Sequence, residues 1–384
     1  MKTQQRQLLM DILSANRDTD YGIRYGFGYI NTVAAYKNSV PVTLYEDYRL
    51  LIDLSTRIGE SNIITGNPVA CYVEGIGDST RLFPITEAQQ RSYASLNVVN
   101  PFSGSTLLFE PHAKTDKRFQ DGKYLSTLGR CFLSSRKKTT NFNSHRRWKK
   151  GRSISAPREL FHDQWDQRDL VHLHALFALA DVDIEFIYAP TYDDLEEILC
   201  FINENWLSLV EEIRSGTVVS HMHDERAREL VERRLRHNAS RAEAVSRAFK
   251  SGTHEIMQWI WPNFKGVSAY CNLYNEKLAN QIQDKYNTIS FDPPELLLTE
   301  CFAAIGMGNG FYRFGEGCCY YEFLPSEATD SPSQTFELYE LEKGQHYRTI
   351  ITNHSGLYRY DTGYEIIAGN KTKEEVLFRF VSNE

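Results

Sequence analysis

The chain lacks the features that would place it in a membrane or make it a disulfide scaffold. Its 384 residues include seven cysteines, an odd number without a C-x-x-C pair, and its apolar runs are too short to span a bilayer. Because disulfides are rare in reducing compartments, this usage predicts a reduced, cytoplasmic protein with no membrane partner. The segment Met1–Asn16 is polar with apolar residues at helical spacing, which predicts an amphipathic helix rather than a signal peptide. Those apolar residues are Leu8, Leu9, Ile12 and Leu13.

A net positive charge is also missing. Lys and Arg total 43 against 50 Asp and Glu, for a net charge of −7, so the chain has no general attraction for nucleic acid. The basic region Lys114–Pro157, with R-K-K at 136–138 and R-R-W-K-K-G-R at 146–152, predicts a long surface excursion. This region could bind a phosphate, a nucleotide or an acidic partner, although a solvated loop without a ligand is favoured. No recognition motif accompanies these runs, so no nucleic-acid partner is expected.

What the chain does have is an ordinary composition for an α/β protein and many aromatic residues. It is 41% hydrophobic and 24% charged, which allows a sizeable core. The 22 Tyr and 21 Phe would suit either a pocket for a flat organic ligand or aromatic packing in the core, and core packing is favoured.

Helical and strand-like patterns alternate along the chain. Thr43 followed by Glu46 predicts the capping box of a helix. Val69–Val73 predicts a strand, and Glu74–Arg81 predicts the loop that follows it. Leu296–Gly306 predicts one buried strand that opens onto a glycine-rich turn, and antiparallel strands follow to the end. The order predicts the α/β class, with one large unit that carries a β-barrel-like subdomain.

The midsection predicts two helices around a short buried strand at Ile184–Pro190. His172 and His174 lie two apart, so on a helix they face different directions and are poor metal ligands. His221 and His223 would approach a common metal only if their segment were extended. Core or surface roles are therefore favoured for all four histidines.

Six segments, taken in order, resemble motifs of one enzyme family. They are Tyr21–Phe27 (Y-G-I-R-Y-G-F), Val42–Tyr48, Ile184–Thr217, Ile260–Ser268 (I-W-P-N-F-K-G-V-S), Tyr320–Pro325 (Y-Y-E-F-L-P) and Leu341–Tyr360. The last one overlaps the string Ser355–Ile367 (S-G-L-Y-R-Y-D-T-G-Y-E-I-I), which resembles a signature of the same family. Together they are similar to the acyl-acid–amido synthetases, the hormone-conjugating branch of the luciferase-like adenylate-forming enzymes. Truncated bacterial relatives that tailor phenazine carboxylic acids in antibiotic pathways are the subgroup the resemblance favours.

The resemblance implies the domain organisation. Residues 1–364 would form the large adenylation-type domain, with mixed sheets flanked by helices and a β-rich subdomain at about 307–364. Residues 365–384 would be a residual strand where a mobile C-terminal domain begins in the family, and that domain is expected to be absent. In the family it brings a lysine to the α-phosphate and then rotates for the second half-reaction.

A phosphate loop patterned S-S/T-G-T-T-x-G-K-P-K is the first functional element of the family. The stretch that aligns with it is V-E-G-I-G-D-S-T-R, residues 73–81. Arg81 keeps a positive charge, whereas Glu74 and Asp78 add carboxylates that would repel a triphosphate. The resemblance assigns cofactor binding to Gly75, Gly77, Ser79, Thr80 and Arg81.

The second element is a strand end, Y-G-A-S/T-E, whose glutamate helps to hold magnesium. Leu298-Thr299-Glu300 matches its last three positions, so the resemblance assigns catalytic roles to Thr299 and Glu300 and makes Glu300 the Mg²⁺ ligand. A surface glutamate at a strand end is the alternative.

The third element is an aspartate that accepts both ribose hydroxyls, and Tyr364 stands in its place. Arg359 belongs to the same motif, and the resemblance assigns both residues to the nucleotide subsite. Because a charge-assisted hydrogen bond is worth about 1.5–3 kcal/mol, the Tyr predicts weakened ATP binding. Glu365 would point to the opposite face of a strand and is not expected to substitute.

Two functions follow from these elements. The first is an atypical enzyme that uses ATP and Mg²⁺ to activate an aromatic carboxylic acid, such as a phenazine acid, with a partner protein for the next step. The second is a catalytically degenerate carboxylate-binding or scaffold protein, which the altered nucleotide elements favour. Enzymatic activity is therefore left open.

Overall fold

The computed structural model describes residues 2–75, 78–94, 105–109, 117–127, 131, 154–157, 159–162, 165–252, 255–269, 276–291, 295–326, 335–372 and 375–381. The chain divides into two compact units, each assembled from separate stretches. The first unit contains Met1–Val99, Thr115–Thr139 and Pro294–Glu384, and the second contains Asn100–Lys114 and Thr140–Pro293.

The first unit has five α-helices among its described residues. They are α1 (Lys2–Ala15), α2 (Asp20–Arg24), α3 (Val33–Ser39), α4 (Tyr45–Asp53) and α5 (Glu87–Ala94). Shorter helical turns are the 3₁₀ helices Phe27–Tyr29 and Leu338–Glu340 and the π-helix Leu54–Ile58. The helix predicted near the N-terminus is confirmed, since α1 buries Leu9, Ile12 and Leu13.

Strands are distributed over both units. They are β1 (Val69–Gly75), β2 (Asp78–Thr86), β3 (Ser105–Leu108), β4 (Leu125–Ser126), β5 (Ile184–Ala189), β6 (Gly266–Ala269), β7 (Glu295–Leu297), β8 (Ala303–Gly308), β9 (Phe311–Phe314), β10 (Cys319–Pro325), β11 (Phe336–Glu337), β12 (His346–Asn353), β13 (Tyr360–Lys371) and β14 (Val376–Phe380).

Two sheets build the first unit. An eight-stranded antiparallel sheet runs in the order β11-β10-β12-β13-β14-β9-β8-β7, and a three-stranded sheet runs β2-β1-β4. Aromatic residues fill the core beside the large sheet. Phe314 stacks on Phe378 with ring centres 4.1 Å apart, and Phe302 and Tyr321 are fully buried next to them. Core packing therefore accounts for these aromatic side chains.

The second unit surrounds a parallel sheet, β3-β5-β6, with helices. The helices are α6 (Glu159–His162), α7 (Gln167–Ala180), α8 (Tyr192–Ser215), α9 (Glu225–Arg234), α10 (Ala239–Ser251), α11 (Ile256–Ile260) and α12 (Glu276–Tyr286). The predicted helix–strand–helix order of the midsection is confirmed: β5 is buried along its whole length, and Thr191 caps α8 through a bond from the Asp194 N–H. Mixed helices and sheets confirm the predicted α/β class.

The predicted domain boundary at residue 364 stays a prediction. β13 runs through this position, and β14 pairs with β13 in the large sheet. Residues 365–384, expected to be a residual strand, thus include the end of β13 and the whole of β14.

Thr43 does not cap a helix, contrary to the sequence prediction. α4 begins two residues later with Leu44 at its N-cap, and Asp47 accepts the Leu44 N–H at 2.8 Å. Thr43 forms an isolated parallel bridge with Tyr360 instead. The capping pattern failed because this partner lies in the last motif of the chain, where local sequence cannot indicate it.

The loop predicted at 74–81 is mostly strand. β1 and β2 are still paired at Gly75 and Asp78, and only Ile76 and Gly77 between them lie outside the described residues. The Ser and Thr hydroxyls that indicated a loop belong to the start of β2. The predicted phosphate loop is therefore the end of a β-hairpin.

Leu296–Gly306 is not one strand. It forms the hairpin of β7 and β8, with Leu297 opposite Ala303. The turn Leu298–Phe302 has the sequence L-T-E-C-F, which contains none of the Gly, Pro, Asn or Asp residues that mark turns. This composition explains why a single strand was predicted.

Candidate functional site

The turn between β7 and β8 holds Thr299 and Glu300. The Leu298 N–H donates to the Phe302 carbonyl at 2.9 Å, and the Cys301 N–H donates to the Leu298 carbonyl at 2.9 Å. Cys301 has a φ of +73°, a left-handed conformation uncommon for residues other than glycine. Such conformations persist where the surroundings hold them in place, and they cluster at functional sites. The turn therefore fixes two buried polar side chains beside a strained residue.

The carboxyl group of Glu300 is bonded by hydroxyl groups. Its Oε2 accepts from Thr299 Oγ1 at 3.2 Å and from the Tyr364 hydroxyl at 3.4 Å. Glu300 is 7% exposed and forms no ion pair with a basic side chain of the described residues. Burial raises the pKa of Glu300, and its hydrogen bonds and the charge of Arg81 only partly oppose this. Within the described part of the chain, Glu300 is thus a buried acid without an ion-pair partner.

Asn353 joins the Glu300 turn to the S-G-L-Y-R-Y motif. Its Nδ2 donates to the Glu300 carbonyl at 2.9 Å, while its Oδ1 accepts the N–H groups of Ser355 at 2.9 Å and Leu357 at 3.2 Å. The sequence patterns did not single out Asn353. An Asn at a strand end before Ser-Gly is typical of a side-chain-bonded turn, and that signal could have found it.

The motif itself is packed into the core. Gly356 has a φ of +96°, and a Cβ there would lie 2.8 Å from the Ile64 carbonyl oxygen, so the position requires glycine. The Tyr358 hydroxyl donates to that same oxygen at 2.7 Å, and its ring stacks on Tyr21 with centres 4.8 Å apart. The resembling segments at Tyr21–Phe27 and Ser355–Tyr364 thus meet in the first unit.

Tyr364 lies on β13 and is half-buried. Its ring centre is 6.2 Å from that of Phe302 and 6.3 Å from that of Phe380, and its hydroxyl reaches Glu300. Glu365 points elsewhere, to His346 at 3.1 Å. The expectation that Glu365 would not share the face of Tyr364 is therefore confirmed.

Arg359 is held by a different set of groups. It is 1% exposed, with Nε 3.2 Å from the Glu322 carboxylate and Nη1 donating to the carbonyls of Lys37 at 3.0 Å and Val40 at 2.8 Å. A further bond links it to the Thr335 hydroxyl. Its nucleotide role stays a prediction, and its hydrogen bonds favour a structural role.

The hairpin of β1 and β2 contributes Arg81 to the neighbourhood of Glu300. Arg81 is half-buried, with its guanidinium carbon 5.5 Å from the centre of the Tyr45 ring, whereas Thr80 is exposed. Glu74, expected to oppose a triphosphate, lies 3.7 Å from Lys117. Gly77 lies outside the described residues, as do the side chains of Ser79 and Asp78, so the assigned phosphate contacts stay predictions.

The paired histidines of the midsection have structural surroundings. His172 is buried with Nε2 2.6 Å from the Glu212 carboxylate, and His174 is fully buried beside Phe109. Burial raises the pKa of Glu212, but the interaction with His172 and the hydrogen bonds from Ser220 together outweigh it, so the net shift is downward. These contacts agree with the core role favoured from the sequence.

His223 lies near two aspartates, Asp166 and Asp169, with ligand atoms within 4.8 Å of one another. The Asp169 oxygens already accept the N–H groups of His223 at 3.0 Å and Asp224 at 2.7 Å. These bonds give Asp169 a structural function, and the ring of His221 packs edge-on against that of His223.

The basic runs at 136–138 and 146–152 lie outside the described residues. Among the helices that are described, none combines the length and the apolar composition needed to cross a bilayer.

Comparison with known proteins identifies the family. The model of the GH3 family N-terminal domain matches residues 1–285, and that of the GH3 family central domain matches residues 309–373. The chain belongs to the GH3 family. The resemblance to acyl-acid–amido synthetases is therefore confirmed at the level of the family.

Curated GH3 relatives match along nearly the whole chain. A probable indole-3-acetic acid-amido synthetase GH3.1 of Oryza sativa subsp. japonica is 26% identical over 416 residues, which cover 99% of this chain and 66% of the relative. The indole-3-acetic acid-amido synthetase GH3.6 of Arabidopsis thaliana is 24% identical over 405 residues, 94% of this chain and 63% of the relative. The chain spans about two thirds of the length of these relatives.

A solved structure shares the fold. The structure described as AtGH3.15 acyl acid amido synthetase in complex with 2,4-DB matches with a TM-score of 0.81 and 21% identity, covering all of this chain and 68% of that one. The α/β architecture described above is thus that of the corresponding part of a GH3 protein.

Proposed function

We propose that the chain binds an aromatic carboxylic acid and activates it with ATP as an acyl adenylate at the Glu300 turn. The observation that carries the proposal is the buried Glu300 carboxyl, which lacks an ion-pair partner among the described residues and is tied through Asn353 to the S-G-L-Y-R-Y motif. Buried acids with raised pKa values and no structural counter-charge are typical of functional sites. Membership in the GH3 family supports the reaction class.

In this reaction a carboxylate oxygen of the substrate bonds to the α-phosphorus of ATP and pyrophosphate leaves with the electron pair of the broken P–O bond. Mg²⁺ supplies charge neutralisation on the phosphates when it is bound. Glu300 and Thr299 offer the oxygen ligands that Mg²⁺ prefers, so these residues fit that ion. Arg81 would add positive charge near the developing pyrophosphate.

The names of the relatives support an aromatic acid as the substrate. Indole-3-acetic acid, named for the rice and Arabidopsis proteins, is an aromatic carboxylic acid, and the GH3.15 structure was solved with 2,4-DB. A phenazine carboxylic acid is the narrower proposal, from the resemblance to truncated bacterial relatives. The step after adenylation is proposed to require a partner protein.

A second candidate function is carboxylate binding without turnover. The Tyr364 hydroxyl bonds the Glu300 carboxyl, and the Tyr364 ring packs with Phe302 and Phe380. Where an aspartate would hold ribose, the chain thus places an aromatic ring. This arrangement favours a protein that has kept the fold and the ability to bind a carboxylic acid but binds nucleotide weakly.

Pyrophosphate release distinguishes the two candidates. The full chain would be incubated with Mg-ATP and, in turn, indole-3-acetic acid, 2,4-DB and phenazine-1-carboxylic acid, with calorimetric titrations of each ligand in parallel. Acid-dependent pyrophosphate release supports adenylation. Acid binding without release supports the second candidate, and the absence of both binding and release contradicts both.

A further inference from the structure

Two cysteines of the first unit are in direct contact in its core. Cys71 Sγ lies 2.6 Å from Cys131 Sγ, and neither residue is in a disulfide. They are 0% and 2% exposed. A disulfide bond measures about 2.05 Å, so the two sulfurs are already close to bonding distance.

Backbone hydrogen bonds connect the segments that contain the two cysteines. Cys71 is in β1, and β4 runs parallel to β1 with Leu125 opposite Tyr72. The Tyr72 N–H donates to the Tyr124 carbonyl at 3.0 Å, and the Cys131 N–H donates to the Thr127 carbonyl at 3.1 Å. The pairing of β1 with β4 thus brings the chain next to Cys131 close to the strand that contains Cys71.

We propose that Cys71 and Cys131 are a dithiol–disulfide site, oxidised by a small-molecule disulfide such as oxidised glutathione. Each thiol gives up one proton and the pair gives up two electrons as the Sγ–Sγ bond forms. The glutathione S–S bond breaks, and two glutathione thiols take up the electrons and the protons. This site is independent of the proposed adenylation, because neither sulfur is needed for that reaction.

The surroundings set the rate of this exchange. The contact with Cys131 and burial raise the pKa of the Cys71 thiol, so little reactive thiolate is present in the closed fold. Exchange therefore requires opening of the structure or occurs during folding. Cys200 differs: it is half-buried, with the Lys285 ammonium 3.4 Å from its sulfur, and is expected to react with glutathione first.

The linkage would also stabilise the folded chain. Linking residues 60 positions apart restricts the unfolded chain. The expected result is a rise in Tm of roughly 5 °C for a chain of this size.

Peptide mapping tests the site directly in the wild-type chain. Reduced protein would be incubated with oxidised glutathione, both folded and during refolding from urea, then alkylated, digested and examined by mass spectrometry. We expect a Cys71–Cys131 cross-link, which uses two of the seven thiols of the reduced chain, and a Tm gain that dithiothreitol reverses.

Two variants sharpen the result. Cys131→Ser should abolish the cross-link and the Tm gain, whereas Cys200→Ser, the matched control at a half-buried thiol, should keep both. If Cys71 and Cys131 are both recovered as alkylated thiols after oxidative refolding, or if either is cross-linked to another cysteine, the proposal is wrong.

Discussion

Among the described residues of the first unit three glutamates are buried, and two of them, Glu322 and Glu300, differ in their surroundings. Glu322, on β10, lies 3.2 Å from the Arg359 guanidinium and 3.9 Å from the Lys37 ammonium, and it accepts a bond from the Thr335 hydroxyl. Glu300 has only hydroxyl donors at its carboxyl among the described side chains. Among the described residues, the Glu322 carboxylate thus has basic ion-pair partners and the Glu300 carboxyl has none.

This difference separates a structural carboxylate from a candidate functional one. A buried ion pair is strongly destabilised when one partner is removed, because the other charge is then left without compensation. A buried acid without a cation is itself unfavourable when charged, and folding tolerates it where a ligand completes its surroundings. The comparison therefore indicates a structural role for Glu322 and leaves Glu300 as the candidate for the proposed chemistry.

Breaking the Glu322 pair should have the largest effect. Glu322→Gln leaves the Arg359 charge buried, so we expect the free energy of unfolding to fall by about 3–5 kcal/mol. Urea unfolding followed by tryptophan fluorescence measures this loss, with Glu365→Gln as a control at a more exposed glutamate. A loss below about 1 kcal/mol would mean that the Glu322 pair contributes no more than an exposed ion pair, which would contradict its structural role.

Glu300→Gln should show the opposite profile, with activity lost and the fold kept. If the chain adenylates an acid, pyrophosphate release should fall by about 100-fold, the size typical of removing one preorganised electrostatic group. The urea midpoint should not fall, since the substitution removes a charge without an ion-pair partner. Unchanged release by a stably folded variant would remove Glu300 from the site, and Glu365→Gln again serves as the control.

Replacing Tyr364 tests the nucleotide side of the site. Tyr364→Asp should tighten ATP and adenosine about tenfold, because a regained pair of charge-assisted bonds to ribose outweighs the desolvation of the new carboxylate. Tyr364→Phe, which loses only the hydroxyl, should not tighten either ligand. Calorimetric titration measures both.

The two ligands separate the explanations for weak ATP binding. If Tyr364→Asp binds adenosine more tightly but not ATP, the weak ATP binding results from repulsion between the phosphates and the carboxylates of Glu74 and Asp78. If neither ligand gains affinity, the aromatic packing of Tyr364 has replaced the nucleotide subsite, which would favour the second candidate function.

The pH dependence of stability is the smallest expected effect. Because the pKa of Glu300 is raised in the folded state, the folded chain binds more protons than the unfolded chain between the two pKa values. The contribution of Glu300 to stability is thus most favourable below the unfolded pKa and declines as pH rises through the folded one.

The Tm of the Glu300→Gln variant should therefore rise relative to the Tm of the wild type as the pH increases from 4 to 8. Glu365 should show the opposite pH dependence. Hydrogen bonds from Ser326 and His346 lower the pKa of Glu365, so its contribution to stability is lost as the pH falls. A Tm difference between Glu300→Gln and the wild type that does not vary with pH would contradict the raised pKa.

Local patterns predicted the second unit better than the first. β5 and α8 could be inferred because an apolar run and a capped amphipathic helix are encoded by neighbouring residues. Thr43 was misassigned because its conformation depends on Tyr360, a partner distant in sequence. The Leu298–Phe302 turn was misassigned because it depends on the left-handed conformation of Cys301. The buried partner of Arg359 was likewise invisible to any local pattern.

The same limit applies to the candidate site. The resemblance placed Glu300, Thr299, Tyr364 and Arg81 in one functional group, and the structure brings these side chains into hydrogen-bond or electrostatic reach of one another. It did not reveal Asn353, whose amide bonds span the turn and the motif.

The discontinuous first unit has a consequence for synthesis. Its residues come from the beginning, the middle and the end of the chain, so Tyr48 meets the Tyr358 backbone only after the intervening second unit has been made. A growing polypeptide can therefore complete the helices around β5 while β1 and β2 still await the large sheet. Contacts of such high sequence separation form slowly. A nascent chain of this protein should thus expose aromatic side chains that are buried in the finished fold, such as Tyr48, to chaperones until its last motif emerges from the ribosome.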